Sequence, residues 1–175
     1  MTRICSLLLV ALLLAVAPAH AQYDGLTLLG AGDPFRDESG ATLTLYGFKT
    51  KYQEPIVGFY FTKGDTQVRF YANAATWDKL KQLFIKTRDQ WATIGATDFA
   101  MMGSVKSYRI ANKTSIMRVS IEGSNPLQGK QLLISAMGGP SQIERVFVDM
   151  DQQNVAGFVE QLYRVDGYLK GAGGQ

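Results

Sequence analysis

The sequence predicts an α+β protein in which an antiparallel sheet carries two amphipathic helices on one face, in two layers. Apolar residues alternate with polar ones over several short segments, which is typical of half-buried strands. In two longer segments they recur at helical spacing, and turns containing glycine or proline separate the segments. The order is strands, helix, strands, helix, which also fits two strand-strand-strand-helix units. A seven-stranded roll with a terminal helix is the alternative.

The N-terminal residues have the three parts of a secretory signal peptide. A cation precedes an apolar run over residues 7–17, and the small residues Ala19 and Ala21 precede the expected cleavage point. We expect cleavage between Ala21 and Gln22, which removes residues 1–21. The apolar run has about half of the roughly 20 residues that a spanning helix needs, and no cysteine follows it to carry a lipid. The sequence therefore predicts export without a membrane span or a lipid anchor.

The predicted cleavage decides which chemistry the chain retains. It leaves 154 of the 175 residues and lowers the net charge from +3 to +2. It also removes the only cysteine, Cys5, and the only histidine, His20, which excludes thiol nucleophiles, Ser-His pairs and Cys/His zinc sites. We expect no cofactor, no metal site and, because the charge is nearly neutral, no nucleic-acid partner. An exported chain of this size without cysteine is typical of a bacterial periplasmic or secreted protein.

The first half of the chain begins with an N-terminal strand and loop segment over residues 22–40. Period-two alternation starts at residue 41, and residues 41–169 are predicted to form a single α+β domain. Lys63-Gly64-Asp65 is predicted to be a hairpin turn. The strands and the helix of the first half are predicted at 42–48, 56–62, 67–72 and 76–94.

The second half repeats the pattern after a connecting loop at 97–103. Strands are predicted at 104–110, 115–121, 131–137 and 143–149, with a loop at 122–130 and a second helix at 152–169, and residues 170–175 are a flexible tail. The helix has an apolar stripe and begins after Asp151, a residue type that favours the N-cap. Residues 149–160 also match part of a calcium-binding loop, but Asn154 stands where that loop requires glycine. The N-cap interpretation is therefore preferred.

The outward positions of three consecutive strands form the candidate binding site. Their alternation places five side chains on the face away from the predicted core: Tyr46, Phe48, Tyr60, Arg69 and Tyr71. Neighbouring strands would bring several of these side chains together, and tyrosine and arginine are favoured at binding hot spots. The competing interpretation is that the rings are cross-strand pairs, or that residues 22–35 cover them.

Three functions remain open from the sequence. The first hypothesis is an exported, soluble, non-enzymatic binding or accessory domain that recognises another envelope or secreted protein through its sheet. The alternative is a periplasmic carrier that holds a small apolar ligand between sheet and helices. A second alternative is a carboxylate-based hydrolase using acids of the loop at 30–40, which contains Asp33, Asp37 and Glu38.

Overall fold

A computed structural model of the chain shows two antiparallel sheets and two α-helices, so the predicted α+β class is confirmed. It describes residues 25–94, 99–110, 115–125, 129–138 and 144–171. The predicted signal peptide and the predicted cleavage point between Ala21 and Gln22 lie outside the described residues, as do the last four residues of the predicted tail. Among the described residues, no helix combines the length and the apolar composition needed to cross a bilayer.

The first half of the chain forms sheet A. Its strands are β1 (Thr27–Ala31), β2 (Phe35–Arg36), β3 (Thr42–Lys49), β4 (Pro55–Lys63) and β5 (Thr66–Asn73). They pair in the order β1-β3-β4-β5, and β2 also pairs with β3. The predicted hairpin joins β4 and β5, and Gly64 has a φ of +55°, which glycine adopts without a steric cost. The predicted N-terminal segment thus joins sheet A through β1 and β2.

The first helix, α1 (Ala74–Gln90), follows β5 directly and continues into a 3₁₀ turn (Trp91–Thr93). The side chain of Asn73 accepts a hydrogen bond from the backbone N–H of Thr76 at 3.0 Å, so Asn73 caps the helix. This cap explains why the helix begins two residues before its predicted start.

The second half forms sheet B and the second helix. Its elements are β6 (Phe99–Lys106), β7 (Ile116–Asn125), β8 (Gly129–Gly138), β9 (Glu144–Met150) and α2 (Gln152–Gly171). The four strands pair in chain order. The side chain of Asp151 accepts a hydrogen bond from the backbone N–H of Asn154 at 2.7 Å, which confirms the predicted N-cap. Because α2 continues through Gly171, the predicted tail begins two residues too early.

The prediction of a single sheet is wrong, and so is the seven-stranded alternative, because the described strands form two sheets. The edge of β5 shows why sheet A does not continue into the second half. The backbone carbonyl of Tyr71 accepts a hydrogen bond from the N–H of Tyr108 at 2.7 Å, and that of Arg69 accepts one from the hydroxyl of Ser115 at 2.7 Å. Residues flanking the β6–β7 connection therefore occupy the edge where a further strand would pair.

The start of β6 was predicted as a loop, and residues 107–110 were predicted as strand. The structure reverses both assignments, because β6 spans Phe99–Lys106. A bulge between Met101 and Gly103 shifts the pairing register with β7 and interrupts the alternation that identifies a strand. The following residues leave sheet B and pair with β5 instead. Both β7 and β8 also extend into the loop predicted at 122–130.

One large apolar core lies between the two sheets and the two helices. Helix α1 packs against β4, β5 and β6, whereas α2 packs against β1, β3, β8 and β9. The rings of Phe84 on α1 and Phe158 on α2 meet edge to face with their centroids 5.1 Å apart. Each helix thus contacts both sheets, which corrects the prediction that both helices lie on one face of one sheet.

Candidate functional site

The five side chains of the predicted binding site do lie on one face of sheet A. Tyr60 on β4 is directly opposite Arg69 on β5, and Tyr71 is opposite Gly58. Gly58 in turn lies opposite Tyr46 on β3. The predicted juxtaposition is therefore confirmed, because the strands are antiparallel neighbours with the expected side-chain alternation.

The predicted exposure of this face is wrong. The exposed fraction is 0% for Phe48, 5% for Tyr60 and 2% for Tyr71, while Tyr46 and Arg69 are half-buried. The buried rings belong to a second, smaller apolar cluster together with Ile56 on β4 and Ile110 from the segment after β6. Leu26, which precedes β1, also packs against this cluster.

A glycine makes the close packing of these rings feasible. A Cβ atom at Gly58 would lie 2.8 Å from the ring of Phe48 and 2.9 Å from the ring of Tyr60, which is too close for either contact. The missing side chain therefore leaves the space that the two rings fill. Alternation in the sequence identifies the face on which Gly58 lies. It does not show that the rings of Phe48 and Tyr60 fill the space beside this glycine.

The polar atoms of this face also contact one another. The hydroxyls of Tyr60 and Tyr71 are 3.1 Å apart, and the guanidinium of Arg69 lies 5.1 Å from the centroid of the Tyr60 ring. Arg69 also donates two hydrogen bonds to the side-chain oxygen of Gln67, at 3.0 and 3.1 Å. These contacts are those of a packed structural cluster, in which Tyr46 and Arg69 are half-buried and Phe48, Tyr60 and Tyr71 are buried.

The acids proposed for hydrolysis are held by different parts of the fold. Asp33 forms an ion pair with Arg164 on α2 at 2.7 Å. One carboxylate oxygen of Asp37 accepts hydrogen bonds from the Ser39 hydroxyl and the Ala41 backbone, and the other accepts one from the backbone N–H of Asp149. Asp33 and Asp37 are therefore not arranged as a catalytic pair, and Asp37 serves to connect the β2–β3 loop to β9.

The sequence did not reveal a cleft of about 350 Å³ between sheet A and the two helices. Its volume is at the lower end of the range for small-molecule sites. The apolar part of its lining consists of Pro55, Val57, Ala72, Ala74, Trp77 and Leu169. Its charged part consists of Asp78, Lys81, Asp166 and Lys170.

Asp166 on α2 is the centre of the charged part of the cleft. Its carboxylate accepts hydrogen bonds from Trp77 Nε1 at 3.0 Å and from Lys81 Nζ at 2.8 Å. It also pairs with Lys170 Nζ at 2.7 Å. Burial by itself would raise the pKa of Asp166, but the hydrogen bonds from Lys170, Lys81 and Trp77 outweigh it and hold the pKa well below its usual range. Asp166 is thus a carboxylate throughout the physiological pH range.

Lys81 on α1 connects Asp166 to the fourth charged group of the cleft. Its ammonium lies 2.8 Å from Asp166 and 3.0 Å from Asp78. Burial alone would lower the pKa of Lys81, but its hydrogen bonds to the two carboxylates raise the pKa. The cluster therefore contains two ammonium and two carboxylate groups whose charges balance.

Only part of this arrangement is readable from the sequence. Lys81 follows Trp77 by one helical turn, and Lys170 follows Asp166 by one turn, so each pair shares a helix face. The contact between the two helices joins the pairs, and a sequence pattern does not contain that information.

The described residues include no group of three or more potential metal ligands close enough to hold an ion. Neither the protein-family models nor the curated proteins compared with the chain include a match to it.

Proposed function

We propose that the chain is an exported, non-enzymatic binding protein and that it holds a small, largely apolar molecule in the cleft between sheet A and the helices. One observation carries the proposal: an apolar cleft of about 350 Å³ ends in a cluster of hydrogen-bonded charges that includes a carboxylate with a strongly lowered pKa. Concave apolar sites with a few convergent polar groups are where proteins commonly bind small molecules.

The lining determines which molecule would fit. Pro55 and Leu169 offer accessible apolar surface, and the buried side chains of Val57, Ala72 and Trp77 complete the apolar lining. Because the charges of the ion cluster balance, a ligand need not carry a net charge of its own. We expect an apolar body on the sheet side with a neutral polar group directed at Lys81 and Lys170, whose ammonium groups are hydrogen-bond donors.

The geometry gives less support to the other two functions. Recognition of another protein through sheet A would depend on Tyr46 and Arg69, since Phe48, Tyr60 and Tyr71 are buried. A carboxylate hydrolase would need two acids facing a common substrate, and Asp33 and Asp37 contact different elements. A binding role for the cleft needs no catalytic pair.

Export remains part of the proposal and has its own test. Intact-mass spectrometry of protein recovered from the periplasm or the medium should give the mass of a chain beginning at Gln22, without an attached lipid. A mature chain that retained Cys5 or His20 would contradict both the cleavage position and the exclusion of thiol and imidazole chemistry.

The cleft is tested by mass spectrometry of organic extracts from the purified exported protein. We expect a small apolar compound to copurify with the wild type and to be lost from Ala74→Trp, because Ala74 lines the cleft and an indole there would fill it. Ala75→Trp is the matched control, since Ala75 is the next exposed residue of α1 and does not line the cleft.

Two results would contradict the binding proposal. One is an extract of the wild type that contains no compound beyond those of a mock purification. The other is a compound that Ala74→Trp and Ala75→Trp retain equally, since it would then bind elsewhere. Circular dichroism of both variants shows whether they are folded before the extracts are compared.

A further inference from the structure

The four charged side chains that line the cleft form one series of contacts between the two helices, and they differ in exposure. Asp78 Oδ1 lies 3.0 Å from Lys81 Nζ, which lies 2.8 Å from Asp166 Oδ1. Asp166 Oδ2 in turn lies 2.7 Å from Lys170 Nζ. The inner side chains, Lys81 and Asp166, are 18% and 14% exposed, whereas the outer ones are 70% exposed for Asp78 and 78% for Lys170. The cleft therefore presents an accessible carboxylate at one end of the cluster and an accessible ammonium at the other.

The two inner groups make their polar contacts within the protein. The Lys81 ammonium contacts two carboxylates and lies 5.5 Å from the centroid of the Trp77 ring. One oxygen of Asp166 accepts hydrogen bonds from Trp77 Nε1 and Lys81, and the other pairs with Lys170. A ligand that displaced one of these partners would leave a largely buried charge without its counter-ion, which is strongly unfavourable. Lys81 and Asp166 therefore hold the outer groups in place and have little capacity for a further partner.

The two outer groups keep hydrogen-bonding capacity for a ligand. An ammonium has three N–H donors, and the only ionic contact of Lys170 with the described residues is to Asp166. A carboxylate accepts through two oxygens, and in the part of the chain that the structure describes Asp78 is contacted only at Oδ1, by Lys81. The remaining donors of Lys170 and the second oxygen of Asp78 belong to opposite helices that line the same cleft.

We propose that the ligand of this cleft carries a carboxamide head group. This inference rests on the proposed function and specifies the neutral polar group of the ligand. The carbonyl oxygen of the ligand accepts a hydrogen bond from Lys170, and its amide N–H donates one to Asp78. Pro55 and Leu169 provide accessible apolar surface for the rest of the molecule. Because a carboxamide has its acceptor and its donor on one carbon atom, a single head group can meet both ends of the cluster.

Charge balance is the reason to choose a neutral group that is both donor and acceptor. A carboxylate would pair with Lys170 but be repelled by Asp78, and an ammonium would pair with Asp78 but be repelled by Lys170. An ester has a carbonyl acceptor and no donor, so Asp78 would lose contact with water without gaining a partner. A carboxamide avoids both costs, and its hydrogen bonds to charged groups are stronger than those between neutral groups.

Isothermal titration calorimetry of the mature chain tests the proposal with four compounds whose alkyl tails are of similar length: octanamide, methyl octanoate, octanoate and octylammonium. We expect octanamide to bind at least roughly tenfold more tightly than methyl octanoate, because the ester lacks the N–H group that would donate to Asp78. Octanoate and octylammonium should each bind more weakly than octanamide, because each meets a like charge at one end of the cluster.

Two variants test the ends of the cluster separately. Asp78→Ala should reduce the affinity for octanamide by at least roughly tenfold, to that of methyl octanoate, and should increase the affinity for octanoate. Lys170→Met should weaken the binding of octanamide and methyl octanoate alike and should favour octylammonium. Asp89→Ala is the matched control for Asp78→Ala, since Asp89 is an exposed acid of α1 that does not line the cleft, and it should leave all four affinities unchanged.

The outcomes separate this inference from the proposed function. Methyl octanoate that binds the wild type as tightly as octanamide, or octanoate that binds most tightly, would overturn the carboxamide inference. So would an Asp78→Ala variant that keeps the wild-type preference. In each of these cases the ligand-binding cleft itself stands, provided that Ala74→Trp abolishes the binding. If none of the four compounds binds, or if Ala74→Trp binds them as the wild type does, both proposals fail.

Discussion

On sheet A, the outward rings of Phe48, Tyr60 and Tyr71 are buried in a small apolar cluster, whereas on sheet B the outward ring of Phe147 is exposed to solvent. Both faces belong to antiparallel sheets whose inner sides form the same core. The outer face of sheet A is partly covered by Ile110, which reaches it because the chain leaves β6 and pairs with the edge of β5.

The comparison separates two properties that alternation alone does not distinguish. Alternation determines which side of a sheet a residue occupies, and it did so correctly for the outward residues of β3, β4 and β5. Exposure depends on which distant segment reaches that side. The aromatic composition of the sheet A face suits burial, while charged outward residues of sheet B such as Arg118 and Arg145 are exposed to water.

The largest expected difference between the faces comes from truncating a buried ring. Tyr60→Ala should lower the free energy of unfolding by about 3–5 kcal/mol, as deletion of a buried aromatic side chain does. Phe59→Ala, the neighbouring residue on the inner face, is the reference and should cost a similar amount. Urea unfolding of both variants measures the two values. A loss below about 1 kcal/mol for Tyr60→Ala would show that the outer face of sheet A is open.

A smaller effect is expected from the hydroxyl pair within the covered face. Tyr60→Phe removes one partner of the hydrogen bond to Tyr71 but keeps the ring, so it should cost about 1 kcal/mol. A double-mutant cycle with Tyr71→Phe isolates the interaction, and the two substitutions should be less than additive. Strict additivity in urea unfolding would mean that the two hydroxyls do not interact.

Asp149 allows a pH-dependent test on sheet B. Since folding raises the pKa of this carboxyl, its ionisation disfavours the folded state, and Asp149→Asn should stabilise the protein by about 0.5 kcal/mol at neutral pH. Near pH 3 the carboxyl is protonated in both states, so the gain should vanish there, and it should grow as the pH rises above the unfolded value of about 3.9. Thermal unfolding across this range, at concentrations where the chain is monomeric, measures the difference. A gain in stability that is largest at acidic pH would contradict the expected increase in the pKa of Asp149 on folding.

The smallest effect is expected at the exposed ring of sheet B. Phe147→Ala should change the free energy of unfolding by no more than about 0.5 kcal/mol, because its ring is exposed in the monomer. A cost comparable to that of Tyr60→Ala would mean that the ring of Phe147 is covered within a single chain.

Local patterns in the sequence predicted much of the fold. Alternation located β3, β4 and β5 of sheet A, helical spacing located both helices, and Asp151 was identified as an N-cap. The bulge near Met101 hid the start of β6, because one extra residue breaks a period of two. The division into two sheets depends on hydrogen bonds from β5 to Ser107, Tyr108 and Ser115, and no local pattern encodes such a contact.

The candidate cleft was harder to predict than the fold. The helix spacing of Trp77 and Lys81 indicates that they share a face, but the position of Asp166 beside them depends on how α2 crosses α1. From the sequence, a ligand site between sheet and helices was an alternative hypothesis to which no residues were assigned. The residues that form the cleft become apparent once α1 is placed against β4 and β5 and α2 against β3.

Hydroxyl-radical footprinting of the mature chain, read out by mass spectrometry, measures the exposure of both faces in one experiment. Tyr52 and Tyr163 are exposed tyrosines and serve as internal references for Tyr60 and Tyr71, while Phe147 reports on sheet B. We expect slow oxidation of Tyr60 and Tyr71, fast oxidation of both reference tyrosines, and fast oxidation of Phe147 at concentrations where the chain is monomeric. Oxidation of Tyr60 and Tyr71 at the rate of the reference tyrosines, or protection of Phe147 in the monomer, would contradict the difference between the two faces.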